Sequence, residues 1–258
     1  MNIRKISGAA FPKEHGSYGL TYEPLLTAII IAYSFAGLTT ALAVFLIFLS
    51  HQPVRILLNK KIIAEKKRIA LFPLAVYAFA ISFLLYSAFA SGSIDSFIPF
   101  FSGIFLMLIF LAIELLGFGR ILAAEFVAPT AIGLIAATVT LLGGFSVEAT
   151  FGFLILIYSR SFTTIFYVNE KLLLQKGNKI TKVKTRISEA FFFILLIYLS
   201  VNSVIPVLSL AAPALIFLRA EYGLAKRRKS DAVRKVGIYE FFYGVIFVVI
   251  VSISYLFS

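Results

Sequence analysis

Glu23, His51 and Glu125 are the residues of this sequence whose chemistry suits proton transfer, and Arg55 and Arg160 are those that suit holding an anion. Each stands in, or at the edge of, a long apolar stretch, where an ionisable side chain is costly and faces a bundle interior, a watery cavity or the interface. Arg160 is the sharpest case. At about 100° per residue, Arg160, Thr164 and Tyr167 share one helical face, with Thr163 and Glu170 at its edge. An arginine one or two turns inside a membrane requires a partner. The sequence offers Glu125, Glu114 or Glu23 for a structural salt bridge, and equally admits the phosphate or carboxylate of a ligand.

Glu23 follows a stripe of small residues, Gly16 and Gly19, and Thr27 continues it at helical spacing, so a carboxylate is set into a close helix contact. Pro24 beside it is expected to start the regular helix as its first residue. Ser50-His51-Gln52-Pro53-Val54-Arg55 ends another apolar stretch, and Pro53 removes a backbone donor there, so freed carbonyls with His51, Gln52 and Arg55 can line a pocket. Arg120 to Glu125 opens a further stretch, which Pro129 interrupts. His15 and His51 stand in no His-x-x-x-His or Glu-x-x-His pair, so no metal site is expected. Phosphate-loop, nucleophile-elbow and zinc-protease motifs are absent from the sequence.

The elements that must position these groups are membrane spans. Of 258 residues 60% are hydrophobic and 14% charged, with a mean hydropathy of +0.98, against about 25% charged in an ordinary soluble domain. Nine apolar stretches run Leu20 to Gly37, Thr39 to Leu58, Ile69 to Ala90, Phe97 to Leu116, Ile121 to Leu142, Val147 to Val168, Ser188 to Ser203, Ile205 to Leu218 and Ile238 to Phe257. At roughly 20 residues per span they consume most of the chain, so residues 1–258 are expected to form a single all-α polytopic transmembrane bundle, with 1–19 a cytoplasmic segment that is retained. The first two stretches, joined at Ala36-Gly37-Leu38, and the seventh and eighth, split near Pro206, each read as a tight helical hairpin or a long broken helix. Zero Cys excludes disulfides, thiolate metal sites and a cysteine nucleophile.

Charge sets the direction. With the N-terminus inside and nine spans, all 24 Lys and Arg fall on one side, and the opposite loops carry only Asp95 and Glu148. The net charge of +12 therefore reports orientation rather than nucleic-acid binding, and the expected surroundings are the lipids of a cytoplasmic membrane. Glu23, His51, Arg55, Glu114, Arg120, Glu125, Arg160, Glu170, Glu189, Glu221 and Glu240 all map to the inner half or the inner helix ends, which implies a polar chamber open to the cytoplasm under an apolar outer half.

Phe-Pro-Lys-Glu-His-Gly-Ser-Tyr-Gly at positions 11 to 19, Glu23-Pro24-Leu25-Leu26, Ser50-His51-Gln52-Pro53, Leu122-Ala123-Ala124-Glu125 and the Arg160 to Glu170 region resemble the YwiC-like family of bacterial multi-spanning membrane proteins. That resemblance implies a multi-pass protein of the bacterial inner membrane and assigns no reaction; Glu14 and His15, in the entry segment before the first stretch, are further ligand-binding candidates. The nine-span order, with basic loops after spans two and six, is also similar to UbiA-type prenyltransferases, which bind isoprenoid diphosphates through aspartate-rich magnesium motifs. The corresponding positions here, Ser50 to Arg55 and Tyr167-Val168-Asn169-Glu170, lack aspartate, so on a shared scaffold Arg, His and Lys would have to hold phosphate directly; the cofactor stays open, magnesium included, although its aspartate-rich motifs are absent. The leading expectation is a pocket for an amphiphilic lipid, isoprenoid or quinone-like ligand. In it Glu23, His51 and Glu125 move protons, and Glu14, His15, Arg55, Arg160, Thr164, Tyr167, Asn169 and Glu170 bind the ligand. A transporter and an assembly partner of a membrane complex are the alternatives.

Overall fold

The computed structural model describes residues 10, 15–59, 62–117, 122–178, 180–225 and 233–258. These form nine α-helices and two single-turn 3-10 segments, with no strand among the described residues. The helices are α1 (His15–Ile31), α2 (Phe35–Leu58), α3 (Ala64–Ser91), α4 (Ile98–Leu115), α5 (Leu122–Leu142), α6 (Val147–Gln175), α7 (Val183–Val201), α8 (Ala211–Gly223) and α9 (Val233–Leu256), one for each apolar stretch. Six, namely α2 to α6 and α9, are long and apolar enough to cross a membrane. Helix α8 has 13 residues, and the 3-10 turn Val207–Leu210 lengthens it at its start.

Local chemistry explains the breaks. The first two helices are separate, and the turn lies at Ala32 to Ser34, upstream of the expected Ala36-Gly37-Leu38, because Ser34 caps α2 by accepting from the Gly37 amide at 2.9 Å. Gly37 is instead a helical residue packed on α5, where a Cβ would meet Val139. Pro24 lies inside α1 rather than starting it, since the backbone is already helical from His15. Helices α5 and α6 end in glycines at φ +89° and +80°, and the following amides, of Phe145 and Asn178, turn back to Thr140 and Leu173 at 3.1 Å. Ser203, at φ 59°, and Pro206 separate α7 from α8, so the seventh and eighth stretches are a hairpin.

Within the bundle α5 packs on α1, α2, α4 and α6, and α6 packs on α5, α7 and α8. Apolar windows of these two helices are 56% and 61% buried, against 17% for α3 at the edge. Helix α9 returns to α1 and α8, which joins the two ends of the chain. Large apolar side chains such as Phe79, Phe83, Tyr86, Phe105 and Ile194 point outward, an arrangement that suits lipid and not water. Contacts between helix ends fall into two sets. Gly143 meets Ala32 and Gly152 meets Val204 and Ile205, Phe145 stacks on Tyr255, and at the other end Glu170 meets Thr185 and His51 meets Glu114. Both sets are those of nine helices alternating in direction.

Small residues make this packing possible, because lipid provides no hydrophobic drive between helices and close backbone approach must replace it. The ends of α1 and α5 show the limit: a Cβ at Gly143 would lie 2.2 Å from the Ala32 carbonyl oxygen. Gly143→Ala is expected to destabilise the bundle by about 1–3 kcal/mol, the cost of overpacking, seen as a lower unfolding midpoint in detergent. Gly237→Ala, where a Cβ meets nothing within 4 Å, is expected to leave the midpoint unchanged or raise it.

Candidate functional site

The polar residues expected in the inner half separate into two constellations. One is a buried ionic cluster at the junction of α1, α6, α8 and α9. Arg160, 4% exposed, extends from α6 and places Nε 3.2 Å from Glu23 Oε2 on α1. Its Nη1 is 3.3 Å from Glu240 Oε2 on α9, its Nη2 donates to the Glu240 carbonyl at 2.9 Å, and Nη1 also donates to Thr164 one turn along. Arg219 of α8, 3% exposed, donates from Nη1 to the same Glu240 oxygen. Its guanidinium lies 4.2 Å over the Tyr167 ring, a cation–π contact that replaces part of the lost hydration. Gly244 makes room for Glu23, since a Cβ there would overlap its carboxylate.

Two arginines and two carboxylates thus form a quartet without net charge. Its surroundings tie the inner helix ends together. Thr185 of α7 donates to Glu170 of α6 at 2.8 Å, and Lys171 donates to the Gly223 carbonyl of α8 at 2.7 Å. Arg186 donates from Nε and Nη2 to Glu221 at 2.5 and 2.8 Å. These bonds hold the Glu221 carboxyl, at the inner end of α8, below the usual carboxylate range.

The other constellation surrounds a cavity of about 1110 Å³ between α2, α4 and α5, with the start of α3 at its rim. Apolar walls come from Ile47, Phe48, Ile104, Met107, Leu111 and Ile132, and Pro129 of α5 faces it. The polar groups gather where α2 and α4 end: His51, Gln52, Arg55, Asn59, Lys66 and Glu114. Glu114 Oε2 lies 2.7 Å from His51 Nε2, and Oε1 lies 3.8 Å from Arg55 Nε. A carboxylate only accepts, so in this bond Nε2 is the donor and the Nδ1 side of the imidazole is turned away from Glu114. Pro53, inside α2, is buried against this end and removes one helical donor. The result is an oriented imidazole and two cations at the mouth of an apolar cavity, a combination that can hold an anionic head group and accept or deliver a proton. Among the described residues, no group of three or more His, Asp or Glu gathers to hold a metal ion.

The sequence candidates therefore distribute as follows. His51 and Arg55 line the cavity, whereas Arg160, Thr164, Tyr167 and Glu23 belong to the ionic cluster. Of the partners offered for Arg160, Glu23 is the one it meets; Glu114 is taken by His51 and Arg55, and Glu125 stands exposed on the first turn of α5, outside both constellations. Glu170 pairs with Thr185, and Asn169 is half-buried on α6 without joining either group. Helix α1 starts at His15, while Glu14 and the His15 side chain lie outside the described residues. The reading from sequence placed Glu240 in the polar inner half without pairing it to Arg160, and passed over Arg219 and Lys66. Glu240 carried a signal, as an isolated charge inside an apolar stretch, whereas Arg219 stands just past the end of one, two residues before Glu221.

Helical architecture, lipid-facing apolar surface and an inward-turned polar core define a polytopic α-helical membrane protein. The sequence matches the YwiC-like protein family over residues 11–140. The chain belongs to that family. No curated protein and no solved structure matches it. The matched part spans α1 to α5 and so contains the whole cavity, while Arg160, Arg219 and Glu240 lie beyond it.

Charge matching in the quartet makes a direct prediction. Glu240→Gln removes the carboxylate shared by both arginines and is expected to cost about 3–5 kcal/mol, as for other broken buried pairs, read as the denaturation midpoint in detergent. Arg219→Met with Glu240→Met removes one charge of each sign and leaves the Arg160 and Glu23 pair, so the double variant is expected to be more stable than Glu240→Gln.

Proposed function

We propose that this protein binds an amphiphilic lipid, isoprenoid or quinone-like molecule from the cytoplasmic leaflet of the bacterial inner membrane, with nine crossings, the N-terminus inside and the C-terminus outside. The observation that carries the reading is the cavity between α2, α4 and α5, apolar along its walls and cationic at one end. Arg55 and Lys66 hold an anionic head group, and the chain lies among Ile104, Met107 and Ile132. Among the described residues that line the mouth, Arg55 and Lys66 outnumber Glu114, which favours a phosphate or carboxylate head. Polar groups confined to one end of the cavity favour a resident amphiphile over a solute that crosses the bilayer. The clustering of basic residues on one set of loops supports the orientation.

A divergent group-transfer enzyme is the catalytic form of this reading. His51, oriented by Glu114, serves as its base, and Arg55 and Lys66 take the place of the magnesium pair that aspartates hold in UbiA-type prenyltransferases. Arg160 stays outside the binding step because Glu23 and Glu240 match its charge.

Native mass spectrometry of the protein in nanodiscs, with titration by an isoprenoid monophosphate, tests the proposal. Arg55→Ala and Met107→Trp are each expected to weaken binding at least about tenfold, equivalent to 1.4 kcal/mol, the first through the head and the second through the volume of the tail. Inorganic phosphate is expected not to compete at equal concentration. Unchanged affinity in both variants would falsify the amphiphile reading.

A further inference from the structure

We infer that Glu189, on α7, is a proton-binding site: it carries an exchangeable proton within the bundle, beside the arginine quartet and apart from the ligand cavity. Glu189 is 5% exposed, and neither of its carboxylate oxygens has a hydrogen-bond partner. It borders a small void of about 10 Å³ lined by α6, α7 and α8, whose polar lining is completed by Ser159 and Thr163. Phe192, Ile216 and Phe217 supply its apolar lining, and both carboxylate oxygens are shielded from solvent.

The charges around Glu189 are already matched. From α8 it is faced by Arg219 and Glu221, from α6 by Glu170, and on its own helix by Arg186. Arg219 is matched by Glu240, and Arg186 is taken in two bonds by Glu221. Counted over the nearly buried charges among the described residues, the cations Arg160, Arg219 and Lys171 meet the carboxylates Glu23, Glu240, Glu170 and Glu189. One negative charge is left over. It falls on the carboxylate that has no donor, and an ionised group in that position loses its hydration with nothing in exchange.

A proton fits the geometry better than a metal cation. The void accepts at most about one water molecule, too little for a cation together with the water needed to complete its shell. Ser159 and Thr163 spend their protons on the carbonyls of Leu156 and Ser159, each at 2.6 Å. Both hydroxyl oxygens therefore face the void as acceptors. A protonated Glu189 supplies the donor which that arrangement lacks, directly or through one water. Proton loss would leave acceptors facing acceptors, with neither carboxylate oxygen bonded to Arg219, whose charge Glu240 already meets.

Infrared difference spectra of the full chain in nanodiscs, recorded between acid and alkaline pH, test the assignment through the C=O stretch of protonated carboxylic acids. The expected result is a band that disappears on alkalinisation, is missing from Glu189→Gln and shifts in Glu189→Asp. Thermal unfolding is expected to show the wild type losing stability as the pH rises from the ordinary carboxylate range up to the pH at which the band disappears, and no further above it, while Glu189→Gln, neutral at every pH, lacks this decline. Identical spectra and identical pH profiles for wild type and Glu189→Gln overturn the proposal. Sodium-specific stabilisation of the wild type that Glu189→Gln abolishes also overturns it, because the void then belongs to a metal cation. Should the glutamine variant fail to fold, an unshifted band in Glu189→Asp has the same force.

Discussion

Arg160 has nowhere to put its charge except on other helices, and much of the bundle is arranged around that constraint. A guanidinium 4% exposed inside an apolar assembly is tolerable only if carboxylates reach it with good geometry. Glu23 arrives from α1 and Glu240 from α9, the first and last described helices. Arg219, brought by α8, shares the Glu240 oxygen, which forces α8 and α9 into a fixed register against α6. Between lipid-facing helices no hydrophobic force selects one register over the next, because neighbouring lipid is as apolar as the helix surface. Buried ion pairs are weak sources of stability, yet a wrong register here leaves a charge unmatched. Specificity is the contribution argued for this quartet.

Helix α1 divides the polar chemistry in two. Thr21 faces the cavity while Glu23 faces Arg160; at about 100° per residue, two positions place these side chains on nearly opposite sides of the helix. The carboxylate that closes the quartet is thereby kept from the cavity, and the quartet cannot be neutralised by whatever enters there. On the other side α2 and α4 meet at their ends through His51, Arg55 and Glu114. Their apolar lengths enclose space instead of packing tightly, with prolines inside α2 and α5 beside it. A proline that removes a helical hydrogen bond is best accommodated where neighbours do not demand a regular cylinder.

The helices were legible in the sequence because their signal is the sum of many residues: nine apolar stretches became nine helices, with errors of a few residues at the turns. Ser34 moved one such turn, since a single capping hydroxyl outweighs a glycine that is tolerated inside a helix. Pro24 misled for a related reason. A proline inside a helix costs one hydrogen bond, and the segment from His15 onward is long enough to continue through it. The site was harder to read. Helical periodicity placed Arg160, Thr164 and Tyr167 on one face correctly, but which carboxylate meets an arginine is decided by how helices neighbour one another. Glu125 and Glu23 are equivalent in sequence terms, and only the arrangement of the helices, which brings Glu23 and not Glu125 within reach of Arg160, separates them. The cavity left less trace still, because an unfilled space is a property of several helices at once.

Charge matching in the quartet also bears on where an anion would bind. A ligand phosphate that approached Arg160 or Arg219 would have to displace Glu23 or Glu240, leaving those carboxylates buried and unpaired, a penalty of several kcal/mol. At the cavity mouth the balance is different. Glu114 sits between His51 and Arg55, at 3.8 Å from the guanidinium, and the Arg55 side chain is 54% exposed, so it reaches the open rim where Arg160 does not. Lys66 adds a second cation at the same rim. An arginine held by two carboxylates is structural by construction, whereas one loosely shared at an open rim retains most of its capacity to attract an anion. By that criterion Arg55 and Lys66 stand where an anion can be met without breaking a buried ion pair, and Arg160 does not.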